Sequence, residues 1–447
     1  MMKPQHLKIQ AASLIIMLAL LISACQPSAT TPAPETQAPP TQPEPPVEKI
    51  KLKFWRYIEE NKEEKELVLE YAKKYTEVNP NVEVEVSFIP WEQYTGDKLI
   101  SGIAGGEGPD VFWLAPPGMI DFVDNGVLLP LENYLSEDVR ADFRSETLNA
   151  VTFNDHLYAI PNEQELLALF YNKKLFEEEG LQPPKTWDEL LDISRKLTTL
   201  DRYGMEIETA PDGYFIFTWY PFLWAAGGRT LNDDWSKSEI NSPAAIRAFD
   251  LWATLIEENL APPSHVDPSW YVDNLAQGKV AMSLNGSWAV SMLKSQYPDF
   301  EYGVAPIPVP AGGQQATAYG GWTTVVNSKS KHIDDAVKFV MWLYASEDPT
   351  FSYKWSFEAN FKWPVRKSVM EMAKPLLDQW PYSVFRDEIE PYGKPECAFP
   401  PEVGNALIDA LQSVMFQDAS GEEAAEKAAS RIDAFLETYK GSKSSSH

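Results

Sequence analysis

The sequence predicts an α/β fold divided into two lobes, and three observations support this prediction. The chain has 447 residues, more than one compact domain usually holds. Hydrophobic residues make up 44% of it, which is enough for two cores. Residues 50–114 alternate predicted strands with predicted helices, and residues 156–191 have the features of a passage between lobes.

Strands and helices alternate near the start of the folded part, with strands predicted over residues 50–55, 82–88 and 110–114 and helices over 64–76 and 94–104. This rhythm is typical of a parallel sheet, in which ligands bind at the carboxyl ends of the strands. Trp55 and Trp113 stand at two such ends. Both are therefore candidate ligand contacts.

Within residues 156–191 the chain is predicted to pass from one lobe to the other. We expect the first crossing at residues 158–161, which include Ile160-Pro161, and its return partner at 304–308. Residues 166–171 are apolar and aromatic and are the predicted first strand of the second lobe's core. Thr186 precedes a helical pattern, and Glu189 three residues later completes a predicted capping box.

The later chain continues the mixed pattern. Residues 215–224 are heavily aromatic and are followed by Gly227-Gly228. Further strands are predicted over 280–284 and 323–326, and helices over 243–258, 333–344 and 422–439, the last with Ser420 as its cap.

The first residues are interpreted as a secretion and anchoring device. Lys3 and Lys8 precede an apolar run, so residues 1–24 are a predicted signal peptide. The following Ile-Ser-Ala-Cys resembles a bacterial lipobox, which implies that Cys25 carries lipid. Residues 26–46 are rich in Pro, Thr, Ala and Gln, the composition of an extended tether.

The predicted lobes are built from separate chain segments. We expect an N-lobe from residues 47–159 with 306–368, and a C-lobe from 160–305 with 369–440. Residues 441–447 are expected to form a disordered tail.

Composition and motifs argue against several classes of function. The net charge of −27 disfavours nucleic acid and anionic lipid surfaces as partners. If Cys25 is lipidated, Cys397 is the remaining cysteine and has no partner for an intramolecular disulfide. We find no motif typical of a nucleophilic hydrolase, a zinc protease, a phosphate-binding loop or a dinucleotide site. We therefore expect no catalytic residue, no metal and no cofactor.

Aromatic residues are the sequence feature that indicates a binding site. Several of its 15 Trp, among them Trp113, Trp288 and Trp322, stand beside turn residues at predicted strand ends. Sugar rings stack their C–H faces on aromatic rings, and their hydroxyls need paired donors and acceptors. Glu163 and Glu165, directly after the predicted crossing, are the preferred carboxylates, with Glu165 first.

Six motifs along the chain can be compared with known families. The strongest are GGEGPDVFW at 105–113, AIPNEQELLALFYNKKLFEEEGLQPPKTWDEL at 159–190 and GKVAMSLNGSW at 278–288, and weaker ones are AAGG at 225–228, AYGGWTTVV at 318–326 and FKWPVRKSV at 361–369. Their order resembles that of bacterial extracellular solute-binding proteins, the sugar-binding branch that serves ABC importers. The resemblance implies a type II periplasmic-binding-protein-like fold, in which two lobes joined by hinge strands close on a ligand.

The resemblance also implies ligand contacts. Matched motif by motif, they are Trp113, Glu165, either Phe217 or Trp219, and Trp288, with Trp55 and Trp322 as softer assignments. The segment after Trp113 is LAPPG, without the acidic residue of the maltose-binding branch, and this disfavours maltose itself.

The expected function is capture of a carbohydrate, with an oligosaccharide favoured, and its delivery to the permease subunits of an ABC importer. The protein is expected to be a monomer at the outer face of the cytoplasmic membrane. Two alternatives stay open from the sequence: a cell-surface glycoside hydrolase, which needs two carboxylates across a cleft, and a surface sensor that presents a bound solute to a receptor.

Overall fold

A computed structural model of the chain describes residues 49–57, 61–264 and 268–445. The predicted signal peptide, Cys25 and the tether lie outside the described residues. Numbered along the chain, the strands are β1 Ile50–Tyr57, β2 Val82–Ile89, β3 Val111–Leu114, β4 Thr152–Phe153, β5 His156–Leu157, β6 Ile160–Pro161, β7 Glu165–Asn172, β8 Met282–Gly286, β9 Tyr302–Ala305, β10 Thr317–Gly320, β11 Thr323–Val326 and β12 Gly393–Pro395.

The α-helices surround these strands. They are α1 Lys62–Val78, α2 Trp91–Gln93, α3 Leu99–Ala104, α4 Met119–Asp124, α5 Glu137–Asp142, α6 Ser145–Asn149, α7 Lys173–Glu178, α8 Trp187–Leu197, α9 Gly213–Ala225, α10 Pro243–Glu257, α11 Asp273–Ala276, α12 Trp288–Gln296, α13 Ile333–Tyr344, α14 Thr350–Tyr353, α15 Lys367–Leu377, α16 Tyr382–Val384, α17 Pro401–Phe416 and α18 Gly421–Leu436. Among the described residues, no helix is long and apolar enough to cross a membrane.

The N-lobe contains a sheet with the strand order β2-β1-β3-β11-β6. Its first three strands are parallel, with Ile50 opposite Val82 and Phe54 opposite Val111, as the strand–helix rhythm predicted. Strand β11 then runs antiparallel to β3 and to β6. The carboxyl ends of β1 and β3 consequently open onto one edge of this sheet.

The C-lobe contains a second sheet with the order β12-β10-β7-β8, and β9 also pairs with β7. Its central strand, β7, is the predicted apolar strand that begins the second lobe, and the side chains of residues 166–170 are buried. Helix α9 contributes a nearly continuous buried aromatic surface because it is apolar on all sides. The two-lobed α/β fold predicted from the sequence is therefore present.

Two short crossings between the lobes lie side by side, and a third follows between β11 and β12, because these strands belong to different sheets. Strand β6 belongs to the N-lobe sheet and β7 to the C-lobe sheet, so the chain crosses at residues 162–164, just after the predicted 158–161. Strand β10 pairs with β7 and β11 pairs with β3, so the return crossing is at Gly321 and Trp322.

The predicted return crossing at 304–308 is therefore wrong. Residues 302–305 form β9, which pairs with β7 inside the C-lobe sheet, with Leu169 opposite Ala305. Since β10 also lies in that sheet, residues 306–320, which the sequence assigned to the N-lobe, contribute to the C-lobe sheet. An extended apolar segment is equally suited to a hinge strand and to an interior strand, which explains the error.

The end of the described chain also differs from its prediction. Residues 441–445 were expected to be disordered, yet Ser442 and Ser444 are only 6% and 3% exposed, and Ser444 pairs with Phe153. Residues 446 and 447 lie outside the described residues.

Candidate functional site

The N-lobe side of the interlobe cleft is an aromatic wall. Tyr57 ends β1, and its ring centroid lies 4.4 Å from that of Trp322, which immediately precedes β11. Trp113 stacks behind Trp322 at 5.9 Å with 18° between the ring planes. Trp91, the first residue of α2, meets the edge of Trp322 at 5.8 Å. Parallel strands and a hinge residue thus bring these rings together at the carboxyl edge of the sheet.

Trp113 is fully buried and supports this wall from below. The Arg56 guanidinium lies 3.7 Å from the Trp113 ring centroid, in a cation–π arrangement. Arg56 Nη2 in turn donates a 3.0 Å hydrogen bond to Glu64, and both side chains are almost fully buried. Trp113, which the sequence predicted as a ligand contact, therefore packs behind Trp322 and holds its ring in place.

The C-lobe side of the cleft carries a second group of rings. Tyr214, in the first turn of α9, lies 5.4 Å from Trp270, 5.9 Å from Phe217 and 6.1 Å from Trp288. The Trp288 indole N–H donates to the backbone carbonyl of Trp270 at 3.0 Å, which orients the Trp288 ring. Trp270 also lies 6.0 Å from Trp91 of the N-lobe, so the two walls touch across the cleft.

The floor of the cleft is a buried cluster of ions. Lys362 Nζ lies 3.6 Å from Glu163 Oε1 and also binds Glu165. The side chains of Lys362 and Glu163 are 2% and 0% exposed, whereas Glu165 is 14% exposed. The Lys362 ammonium lies 5.8 Å from the Trp288 ring centroid. The two predicted glutamates are therefore brought together, and Glu165 is the more accessible of the pair.

Glu163 is held from a second direction as well, because the Trp355 indole N–H donates to its Oε2. A cation and a hydrogen-bond donor therefore hold the buried Glu163 side chain from two sides, as burial of an acidic group requires. Glu163 is thus the fixed member of the cluster. Glu165 is placed next to it at the start of β7.

Glu396 adds a further carboxyl group beside the floor. Its Oε2 is 3.0 Å from the position that a β-carbon on Gly320 would occupy, and the Phe217 ring is 3.1 Å from that position. A side chain at residue 320 would therefore displace one of these two groups. Burial, together with the nearby charge of Glu165, raises the pKa of Glu396 to about 8.

Two of the predicted residues lie away from the cleft. Trp55 is covered by α3, where its ring atoms are 3.0 Å from the β-carbon position of Gly102. Trp219 is fully buried in the C-lobe core and stacks on Phe249 at 4.6 Å. Residues two apart on a helix point about 200° apart, so Trp219 and Phe217 cannot face the same cleft. The structure places Phe217 toward Gly320 and Trp219 in the core.

The sequence analysis did not identify several residues that the structure places at the cleft: Tyr57, Trp91, Tyr214, Trp270, Lys362 and Glu396. Lys362 belongs to the weak FKWPVRKSV motif, which could have marked it. Trp270 lies between Asp267 and Asp273 in the sequence, a polar setting that is typical of a solvated loop. In the described residues, no group of three or more His, Cys, Asp or Glu could hold a metal ion.

An open groove continues from Trp270 along the C-lobe. It has a volume of about 460 Å³ and is lined in part by Glu208, Thr209, Gln412 and Phe416. The Glu208 carboxylate accepts from the backbone amides of Thr209 and Ala210, and the Ser269 hydroxyl donates to it at 2.5 Å. A polar and aromatic surface therefore extends beyond the rings of the cleft.

Residues 60–348 match the family described as bacterial extracellular solute-binding protein. The chain belongs to this family. The two lobes, joined by paired crossings around an aromatic cleft, agree with that membership. Proteins of this family act outside the cytoplasm. Its members are binding proteins.

Individual relatives agree with the family. A Brucella abortus protein, described only as a binding protein, is 28% identical over 82% of this chain and 89% of its own length. A maltotriose-binding protein of Pyrococcus abyssi is 28% identical over 65% of this chain and 62% of its own. An ABC transporter solute-binding protein of Thermotoga lettingae, solved with α-D-tagatose, is 27% identical and has a TM-score of 0.76. That likeness covers 87% of this chain and all of the other.

Proposed function

We propose that this solute-binding protein captures a carbohydrate in the interlobe cleft and delivers it to the permease of an ABC importer. The observation that carries the proposal is the pairing of aromatic rings on both walls with carboxylates on the floor. Trp322 and Trp91 provide flat apolar surfaces, while Glu165 provides hydrogen-bond acceptors beside Trp288. This combination suits sugar rings, which have apolar faces and a rim of hydroxyls.

An oligosaccharide is the favoured ligand. The rings extend from Trp322 through Trp91 and Trp270 to Tyr214, and the groove beyond Trp270 continues that surface. A single sugar ring would cover only part of this length. Relatives named for maltotriose and for several sugars support the same class of ligand.

The capture mechanism follows from the two crossings. Residues 162–164 and the pair Gly321 and Trp322 are short, and small φ/ψ changes there would move one lobe relative to the other. A ligand that contacts both walls binds the closed arrangement more tightly than the open one and shifts the population toward it. The closed monomer would then dock on the permease.

Cys25 is proposed as a lipid attachment site that retains the protein at the outer face of the membrane. The support is the sequence itself, with an apolar segment and Ile-Ser-Ala before the cysteine and a Pro-rich tether after it. A single acyl chain gives only weak membrane binding, so stable anchoring needs more than one chain. Cys25→Ser should release the protein from the membrane fraction, whereas Cys397→Ser should not.

The proposal is tested by a panel of mono- and oligosaccharides in thermal-shift and calorimetric titrations. A ligand at 100 times its Kd should stabilise the fold by about 2.7 kcal/mol. Glu165→Gln should weaken that ligand's binding, and Glu178→Gln, an exposed carboxylate on α7, serves as the control. Binding of a non-sugar solute with no response to the panel would refute the carbohydrate assignment, and release of hydrolysed sugar would favour an enzyme.

A further inference from the structure

The strap, defined as residues 441–445, pairs with β4 of the hairpin made by β4 and β5 through one antiparallel bridge. The amide of Asn154 donates to the Lys443 carbonyl at 3.2 Å, and the amide of Ser445 donates to the Thr152 carbonyl at 2.9 Å. Between them, Phe153 and Ser444 form an antiparallel bridge. The strap thus makes backbone hydrogen bonds to the edge of the hairpin, the same kind of contact that extended peptides make on exposed sheet edges.

Side chains fix the strap in one register. The Ser442 amide donates to Asp124 Oδ1 at 2.8 Å, and Asn154 Nδ2 donates to the Ser442 hydroxyl at 3.1 Å. Asn154 Oδ1 also accepts from the Lys443 amide at 3.1 Å. At Gly441 a β-carbon would lie only 2.1 Å from Asp124 Oδ2, so the close approach at this position depends on glycine.

The two sides of these contacts belong to different lobes. The strap follows α18, which packs on α10 and α17 of the C-lobe. The Lys443 ammonium also donates to the carbonyl of Asp234 in that lobe. The hairpin, in contrast, is bonded to the N-lobe, where the Leu131 amide donates to the Leu157 carbonyl at 2.6 Å.

We propose that the strap is an interlobe latch that favours the closed arrangement of the ligand-free protein. It joins the lobes at a place separate from the crossings at residues 162–164 and at Gly321 and Trp322. When the lobes separate, the hairpin and α18 must either move as one unit or break the backbone pairs of the strap. A contact made in only one arrangement raises the population of that arrangement.

The test measures lobe separation without any ligand, so it does not depend on which solute binds. Spin labels are attached at Gln93→Cys, beside Trp91, and Gln417→Cys, beside the groove, in a Cys25→Ser/Cys397→Ser background. The distance between the labels is compared in the parent, in Asp124→Ala/Asn154→Ala and in a chain lacking residues 441–447. Asp121→Asn, on the same helix as Asp124, is the control.

Both strap variants should shift the distance distribution to longer values, with the closed population reduced about five- to tenfold, while the control matches the parent. Faster hydrogen exchange at the backbone amide of residue 154, which donates to the Lys443 carbonyl in the parent, would show that the strap has detached. An unchanged distance distribution in a folded variant whose strap has detached would overturn the proposal. If the deletion prevents folding, the double substitution decides the question by the same criterion.

Discussion

Lys362 Nζ lies 3.6 Å from Glu163 Oε1, and neither side chain is more than 2% exposed. The lysine also binds Glu165, so one buried cation serves two carboxylates from the crossing between the lobes. Gln164, between the two glutamates, pairs through its backbone with Trp363, the neighbour of Lys362. The ion cluster and the backbone bridge therefore both connect the first crossing to the segment around Lys362.

The first prediction concerns this cation. Lys362→Met should lower the free energy of unfolding by about 3–5 kcal/mol, because it removes the cation of a buried ion pair. Chemical denaturation measures the loss. Lys354→Met changes a partly exposed i,i+4 pair with Glu358 and should cost no more than about 1 kcal/mol. Equal losses in the two variants would contradict a special role for Lys362.

The second prediction concerns the N-lobe wall. Trp322→Ala should weaken binding of the proposed carbohydrate about 10- to 100-fold, since loss of a stacking ring commonly costs about 1.4–2.8 kcal/mol. Calorimetric titration measures the change in Kd. Tyr134→Ala removes an exposed aromatic ring from the same lobe and should leave the Kd unchanged. A Trp322 variant that binds as tightly as the parent would exclude this ring from the site.

The sequence predicted the regular elements well because their patterns are local. Alternation of apolar and polar residues gave β1 and β2, and the pattern at 333–344 gave α13 with the observed bounds. The predicted capping box at Thr186 with Glu189 is confirmed by hydrogen bonds in both directions. Ser420 is the N-cap that the sequence predicted, and with Glu423 it also forms a capping box. These features depend on residues within one turn or one strand of each other.

The cleft was harder to predict because it depends on contacts between distant residues. Lys362 is 197 residues from Glu165, and nothing near Lys362 in the sequence indicates that partner. Trp219 and Phe217 could not be separated before the aromatic stretch was known to be helical. The strap has a small, polar composition typical of a frayed end, yet it is ordered through backbone pairing, for which side-chain composition gives little signal.

The third prediction tests the capping box at the start of α8. Thr186→Ala should lower the free energy of unfolding by about 1 kcal/mol, because the Glu189 amide loses the side-chain oxygen that accepts its hydrogen bond. Thr186→Ser keeps that oxygen and should recover most of the loss. Chemical denaturation of the three proteins measures it. Similar stabilities of the Ala and Ser variants would contradict a capping role.

The last prediction concerns pH and Glu396. The folded-state pKa of Glu396 is about 8, above its ordinary value of 4.5, because the carboxyl is buried and lies near the charge of Glu165. Between these two values the folded state binds more protons than the unfolded state. The contribution of this group to stability is therefore fully present below pH 4.5 and is lost as the pH rises through about 8, by at most about 1.4 kcal/mol per pH unit.

Glu396→Gln should remove this contribution. The variant should gain stability relative to the parent as the pH rises from 5 to 9, when free energies of unfolding are measured by denaturation across that range. Glu388→Gln alters an exposed carboxylate nearby and should follow the parent at every pH. If Glu396→Gln also follows the parent, the carboxyl is ionised in the folded protein at neutral pH. The cleft floor would then carry a full additional negative charge beside Glu165.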